Sequence, residues 1–231
     1  FSISIILIIT TMVVFQQLRF MQQKSLGFNK EQIAVLPYNA ALSDRYEAFR
    51  NELLSNALFK DAGRSSRIPT GRLLDNMGSY TLSGDSMRRT TTDIKYVSVD
   101  DAFIPTYGIR MAAGRNFSKA YGTDTAGFII NQSAVRALGW PSAEQAIGMS
   151  FKYGETSGRI IGVVNDFHFE SMHQPIVPMV LLLLPESYSY FNNLSVKISG
   201  NDVSGAIHHL ENTWRKFLPE IPFEYSFLDT K

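Results

Sequence analysis

Apolar side chains fill every face of a helix over the opening stretch FSISIILIITTMVVF, Phe1 to Phe15, which carries no charge. A helix that is apolar all round is either deeply buried or in lipid. Fifteen residues at ~1.5 Å rise reach about 22 Å, short of a ~30 Å hydrocarbon core. The pattern predicts the truncated end of a transmembrane helix, in a chain cut from a longer membrane protein, with the rest of the span upstream. A secretory signal peptide would show a basic region first and a small-residue cleavage site afterwards. Gln16, Gln17, Leu18, Arg19 and Phe20 follow instead. Leu18 and Met21 then keep to one side of an amphipathic stretch to Lys24, which reads as a stalk leaving the membrane until Gly27 stops it.

Beyond the stalk the periodicity changes. Gln32 to Pro37 predicts a short apolar strand. A helix follows that Ser43 or Asp44 can cap, with Tyr46, Phe49, Leu53 and Ala57 at three- and four-residue spacing, and Ala62 to Ile68 returns as a strand. The same order recurs near the C-terminus. Leu194, Val196 and Ile198 alternate with polar residues as in a half-buried strand; Asn201 or Asp202 caps a helix with the face Val203, Ile207, Leu210, Trp214 and Phe217; Pro219 ends it. Phe223, Tyr225 and Phe227 alternate as a last strand. With the strand-like Ile94 to Val99 and the run Val177 to Leu184, these units predict an α+β fold, a sheet layered by two helices on one face. Between them, Ser79 to Thr92 is polar and reads as a loop or hairpin. Gly108 to Val164 is Gly-rich, with short apolar runs and one helix, Gln132 to Leu138, ended by Gly139. This middle part reads as a smaller β-rich subdomain inserted into the first.

Composition narrows the chemistry more than it supplies any. The chain has 231 residues, 45% of them hydrophobic, enough for a substantial core. Its net charge of +1 comes without a Lys/Arg cluster, which argues against nucleic acid as a partner. With no cysteine there is no disulfide, thiolate nucleophile or thiolate metal site. The sequence holds no P-loop, no G-x-S-x-G and no H-E-x-x-H, and no cofactor motif. The one metal-like cluster is DFHFESMHQP, which offers Asp166, His168, Glu170 and His173; imidazole with carboxylate suits zinc. Phe167, Phe169 and Met172 interleave with these residues, the pattern of a strand end anchored in the core. His208 and His209 are adjacent on a helix and point about 100° apart, so they do not converge on one ligand. Asp100 and Asp101 follow a strand and read as a helix N-cap. Asn193-Leu194-Ser195 matches a glycosylation sequon too common by chance to carry an argument.

A series of short motifs, in order, resembles a known family. Asp101 to Phe103, Tyr107 to Ile109, Ala113 to Phe117, Ile129 to Ala134, Leu138 to Trp140, Ala146 to Gly148 and Arg159 to Phe167 look like the periplasmic core domain of MacB-like, FtsX-type ABC transporter permeases. Phe20 to Gln32 resembles the exit from a transmembrane helix in such permeases of Bacteroidetes-type bacteria. The resemblance implies a porter-like α/β subdomain from residues 25–108 and 162–231, an inserted sabre-like β-rich subdomain over 109–161, and a partial transmembrane helix and stalk over 1–24. Gly114, Arg115, Gly148, Gly162 and Asp166 then belong to structural turns, without a catalytic role. The implied setting is the bacterial inner membrane, with the folded domain in the periplasm and coupled to cytoplasmic ATP hydrolysis for export or mechanotransmission. The implied partners are an ATP-binding ABC subunit or domain, a periplasmic or outer-membrane protein, and a second copy of the permease. Arg19, Lys24 and Lys30 follow the span on the side this reading places outside, so orientation rests on the resemblance and not on the positive-inside rule. Two other readings fit an anchored α/β domain: an extracytoplasmic ligand-binding sensor, and a tethered metal hydrolase centred on His168, Glu170 and His173.

Overall fold

A computed structural model describes residues 7, 9–13, 32–170, 174–184 and 190–228. Residues 9–13 are helical, and Leu7, Ile9, Met12 and Val13 expose their side chains. The rest of the expected span and stalk over 1–24 lies outside the described residues.

Among the described residues, two sheets make up the fold. The first is antiparallel, built from β1 (Ile33–Pro37), β2 (Phe59–Ser65), β11 (Asn193–Ile198) and β12 (Ser226–Phe227) in the order β12-β1-β11-β2. One face is covered by α1 (Tyr46–Leu54) and α5 (Val203–Phe217). The alternation read from the sequence sets this arrangement. Ala34 and Leu36 of β1, with Leu194, Val196 and Ile198 of β11, face the helices, while Ile33 and Val35 enter the core on the other side. Phe49 meets Trp214 and Phe217 edge-on, with ring centroids 6.4 and 5.6 Å apart. Asp202 caps α5 by accepting from Gly205 N at 2.9 Å.

Two local expectations shift. A 3-10 turn over Ala40–Arg45 precedes α1 and is capped by Asn39, which accepts from Ala41 N at 2.8 Å; Ser43 and Asp44 lie inside the turn, and α1 follows Arg45 with no side-chain cap. The aromatic alternation of the last segment joins the sheet only at Ser226–Phe227. Its earlier part is taken by α5: Phe223 packs on Trp214, whose indole Nε1 donates to the Ile221 carbonyl at 3.0 Å.

The second sheet has eight strands, and β9 (Thr156–Val164) organises it. On one side β9 pairs in parallel with β7 (Gly127–Asn131). On the other it pairs antiparallel with β8 (Ser150–Tyr153) along its first half and β6 (Met111–Gly114) along its second. The hairpin of β3 (Ser79–Ser83) and β4 (Ser86–Arg89) extends the β8 end. At the other end β10 (Met179–Leu182) pairs with β7 and, in parallel, with β5 (Lys95–Ser98). The sequence pattern assigns these last two segments to the helix-covered layer, but both are strands of the larger sheet. Three short helices complete it: α2 (Phe103–Tyr107), α3 (Gln132–Ala137) and α4 (Ala143–Ala146). One core, containing Ile33 and Val35 together with Val97, Val99, Phe103, Ile129 and Val164, is shared by both sheets.

Candidate functional site

The two sheets are spliced where β2 ends and β5 ends. An antiparallel bridge joins Ser65 to Val99; Ser66 N donates to the Ser98 carbonyl at 2.8 Å, and Asp100 N to the Arg64 carbonyl at 3.1 Å. The helix after the splice, α2, can lie against β2 because residue 63 is glycine. A Cβ there would sit 3.0 Å from the Ala102 backbone carbonyl carbon and the Phe103 nitrogen.

Asp100 is the hub of this joint. Its buried carboxylate accepts from Arg64 N at 2.8 Å, Ala102 N at 3.1 Å and the Tyr46 hydroxyl at 3.2 Å, and Arg64 Nε lies 3.6 Å away. Asp100 therefore does more than the helix-capping role its position after a strand predicts, and the N-cap position of α2 is Ala102. Burial pushes its carboxyl up to about 6, against the pull of the Arg64 N–H and guanidinium. The Tyr46 phenol is raised for the same first reason, burial, with the Asp100 charge adding to it. The Arg64 guanidinium lies 3.8 Å from the Tyr46 ring centroid, 4.6 Å from Phe191 and 5.5 Å from Tyr38, and donates to the Tyr38 hydroxyl at 3.0 Å. Below it, the buried hydroxyls of Tyr107 on α2 and Ser195 on β11 are 2.7 Å apart. Arg64, Tyr46 and Ser195 carry no functional signal in the sequence. The one available hint is a charged Gly-Arg pair inside a strand whose neighbours are buried.

The motif residues hold the turns of the larger sheet. Gly114 has φ +70°, and a Cβ on it would come within 2.3 Å of the Ile161 carbonyl oxygen; a Cβ on Gly162 would meet the Arg115 carbonyl oxygen at 2.4 Å. The two backbones touch, and only glycines allow it. Arg115 grips the buried Asp124 with two bonds of 2.7 Å, which holds that carboxyl below its usual range, and Asp124 also accepts from Ser118 N at 2.8 Å. Asn116 donates to the Asp101 carbonyl at 2.8 Å, tying this loop to the splice. Gly148 ends the turn after α4, with its N–H on the Ile160 carbonyl at 2.8 Å. Asp166 accepts from Ser133 N at 2.8 Å and Ser133 Oγ at 2.9 Å, and pairs with Arg136, fastening the start of α3 to the end of β9.

The metal-like cluster does not assemble among the described residues. Glu170 accepts from Leu73 N at 2.6 Å, Asp166 is spent on α3, and His173 lies outside the described residues. No group of three His, Cys, Asp or Glu residues that could hold a metal occurs among those described. His208 is exposed, while His209 packs on Phe59 and bonds to Asn56 at 3.3 Å. Asn193 of the sequon turns its amide to the Ser66 carbonyl at 3.2 Å.

A helix-covered sheet assembled from both ends of the chain is spliced to a larger sheet built from the middle. The chain belongs to the MacB-like periplasmic core domain family, whose sequence profile matches residues 1–211. Several solved structures share the fold. The periplasmic region of MacB from Actinobacillus actinomycetemcomitans is 14% identical with a TM-score of 0.56, over 91% of this chain and 94% of that one. The extracellular domain of the noncanonic ABC-type transporter YknZ from Gram-positive bacteria is 13% identical with a TM-score of 0.50, over 80% and 92%. A domain from Porphyromonas gingivalis, described as part of a permease protein, is 14% identical with a TM-score of 0.52, over 86% and 89%. At these identities the likeness establishes the fold alone. No curated protein sequence matches the chain. The chain is thus a periplasmic domain of a MacB-like ABC transporter permease. Among the described residues no helix is long and apolar enough to cross a membrane.

Proposed function

We propose that the domain is a non-catalytic coupling element, carrying motion of the membrane-spanning part to a partner or substrate in the periplasm when an ATP-binding subunit or domain turns over in the cytoplasm. The observation that carries this reading is the placing of β1. The segment leading up from the apolar start enters the first sheet at β1, where Ala34 pairs with Phe227 of β12. Strand β1 thus lies beside β12 at one edge of the sheet, and the strand at the other edge, β2, is the one spliced into the larger sheet. A push or pull delivered at Ala34 and Phe227 has a hydrogen-bonded route through β1, β11 and β2 to β5. On this reading the permease works as a pair of copies, with a periplasmic or outer-membrane protein receiving the motion. The implied subdomains are a porter-like layer and a sabre-like part around 109–161.

Inserting a flexible Gly-Ser segment at Gly27 in the full-length permease tests this coupling. The domain stays folded and ATP hydrolysis continues, while transport or partner activation per ATP falls at least severalfold. Unchanged output per ATP would sink the reading.

A further inference from the structure

The larger sheet ends at β4, which pairs with β3 and has no strand on its other edge among the described residues. Every residue from Leu82 to Arg89 is exposed. The backbone of this edge has a fixed phase. Thr90 N donates to the Ser79 carbonyl at 2.9 Å, which makes Ser79 and Thr90 a hydrogen-bonded pair. Bonded and non-bonded pairs alternate along an antiparallel ladder, so Thr81 is bonded to Arg88 and Ser83 to Ser86, while Met87 and Arg89 turn their N–H and C=O groups to the open edge. Such an edge is a template for a further strand.

The side chains restrict which strand fits. On the solvent face Met87 stands opposite Leu82, 38% and 56% exposed, and Arg89 stands opposite Tyr80. The other face carries Thr81 beside the buried Phe151. A short, charged edge commonly guards against pairing, but an exposed Leu and Met beside it work the other way. Asp85 lies in the turn just before β4, and neither it nor Arg88 nor Arg89 makes an ion pair among the described residues.

The edge is complementary to itself. Two copies of β4 related by a two-fold axis run antiparallel, and bonds form only in registers that bring outward-turned residues together. Centring the axis on Arg88 or on Arg89 sets that arginine directly against its own copy, which like charges oppose. Centring it on Ser86 runs each strand past the other's turn. Centring it on Met87 avoids both: Met87 meets Met87, Arg88 faces Ser86, and Arg89 faces Asp85 of the second copy. Leu82 and Met87 of both copies then form one apolar strip. We infer that two copies of this domain pair antiparallel through β4 about Met87, with an ion pair between Asp85 and Arg89 on each side, joining their larger sheets into one. Both copies belong to membrane-held permeases, and tethering raises their effective concentration, so a short pairing suffices. This surface rests on the reading that the permease works as a pair of copies, and the experiment separates the two.

Met87→Cys tests it in the full-length permease, oxidised in native membranes, with any cysteine outside this cysteine-free domain replaced. In the inferred register the two Cα atoms at position 87 lie ~5.5 Å apart, within the ~4.4–6.8 Å that a disulfide spans. Cross-linked dimer is expected, severalfold more than from Lys60→Cys, an exposed position on β2. Asp85→Arg or Arg89→Asp added to Met87→Cys lowers the yield by about threefold or more, and the two together restore it. All these side chains are exposed, so the variants keep the fold. No cross-link through position 87, a yield no higher than that of Lys60→Cys, or a double swap that stays low overturns the inference. Light scattering of the solubilised permease reads the pair separately. A dimer without the cross-link at 87 keeps the two copies and removes this surface; a monomer removes both.

Discussion

At the scale of single residues, the joint between the sheets depends on groups whose chemistry is decided by burial. Asp100 titrates near 6 in the folded protein and near 3.8 unfolded, so the folded state holds the proton more tightly. The sign follows from linkage: its contribution to stability falls as pH rises from about 4 to about 6 and is flat above, because the unfolded state gives up the proton first. A difference of that size between the two states is worth about 2–3 kcal/mol across the window. In parallel urea titrations from pH 4 to 7, Asp100→Asn should therefore gain on the parent as pH rises; a pH-independent gap between the two would contradict this assignment. Gly162→Ala forces a Cβ to within 2.4 Å of the Arg115 carbonyl oxygen, a backbone atom that cannot swing aside. A loss of about 2–3 kcal/mol is expected from such overpacking, read as a lower denaturation midpoint. The glycines of this touch were visible as motif positions, whereas Arg64, Tyr46 and Ser195 were not, because nothing local marks residues that become partners only across the splice.

At the scale of elements, the long amphipathic segments were the most legible. Helix α5 begins after Asp202 and ends before Pro219, as its apolar spacing and capping residue predict. Removing that cap by Asp202→Ala should cost about 1 kcal/mol, measurable as a shift in thermal midpoint; no shift would mean the N-terminal N–H groups of α5 find equivalent partners. Short elements were read less well. Neither Ser43 nor Asp44 caps α1, since a 3-10 turn capped by Asn39 intervenes and α1 starts after Arg45 without a side-chain cap, and the last strand shrinks to Ser226–Phe227, since Phe223 packs on Trp214. Apolar runs such as Val177 to Leu184 announce a buried strand by composition, but periodicity says nothing about which sheet receives it. Strand β10 pairs with β7 and β5 because its Val180 and Leu181 fill cores on the two faces of the larger sheet.

At the scale of the whole molecule, the shared core and the splice make the two sheets one mechanical unit. Ile33 and Val35 from the first sheet pack with Val97, Val99 and Val164 from the second, so neither can unfold and leave the other's apolar face covered. Scanning calorimetry on the full chain is expected to show this domain melting in a single transition; two separated transitions would mean the sheets are independent. By itself the sequence determined the α+β class, the two helix-bearing units at the chain ends and the family, because these rest on local periodicity, caps and ordered short motifs. Only the tertiary structure decided that β5 and β10 belong to the larger sheet, that Asp100 and Arg64 meet in a buried, aromatic-walled joint, and that β1 and β12 lie side by side. Each of these is a contact between residues far apart in the chain, set by which apolar faces can be buried together and not by any pattern within a segment.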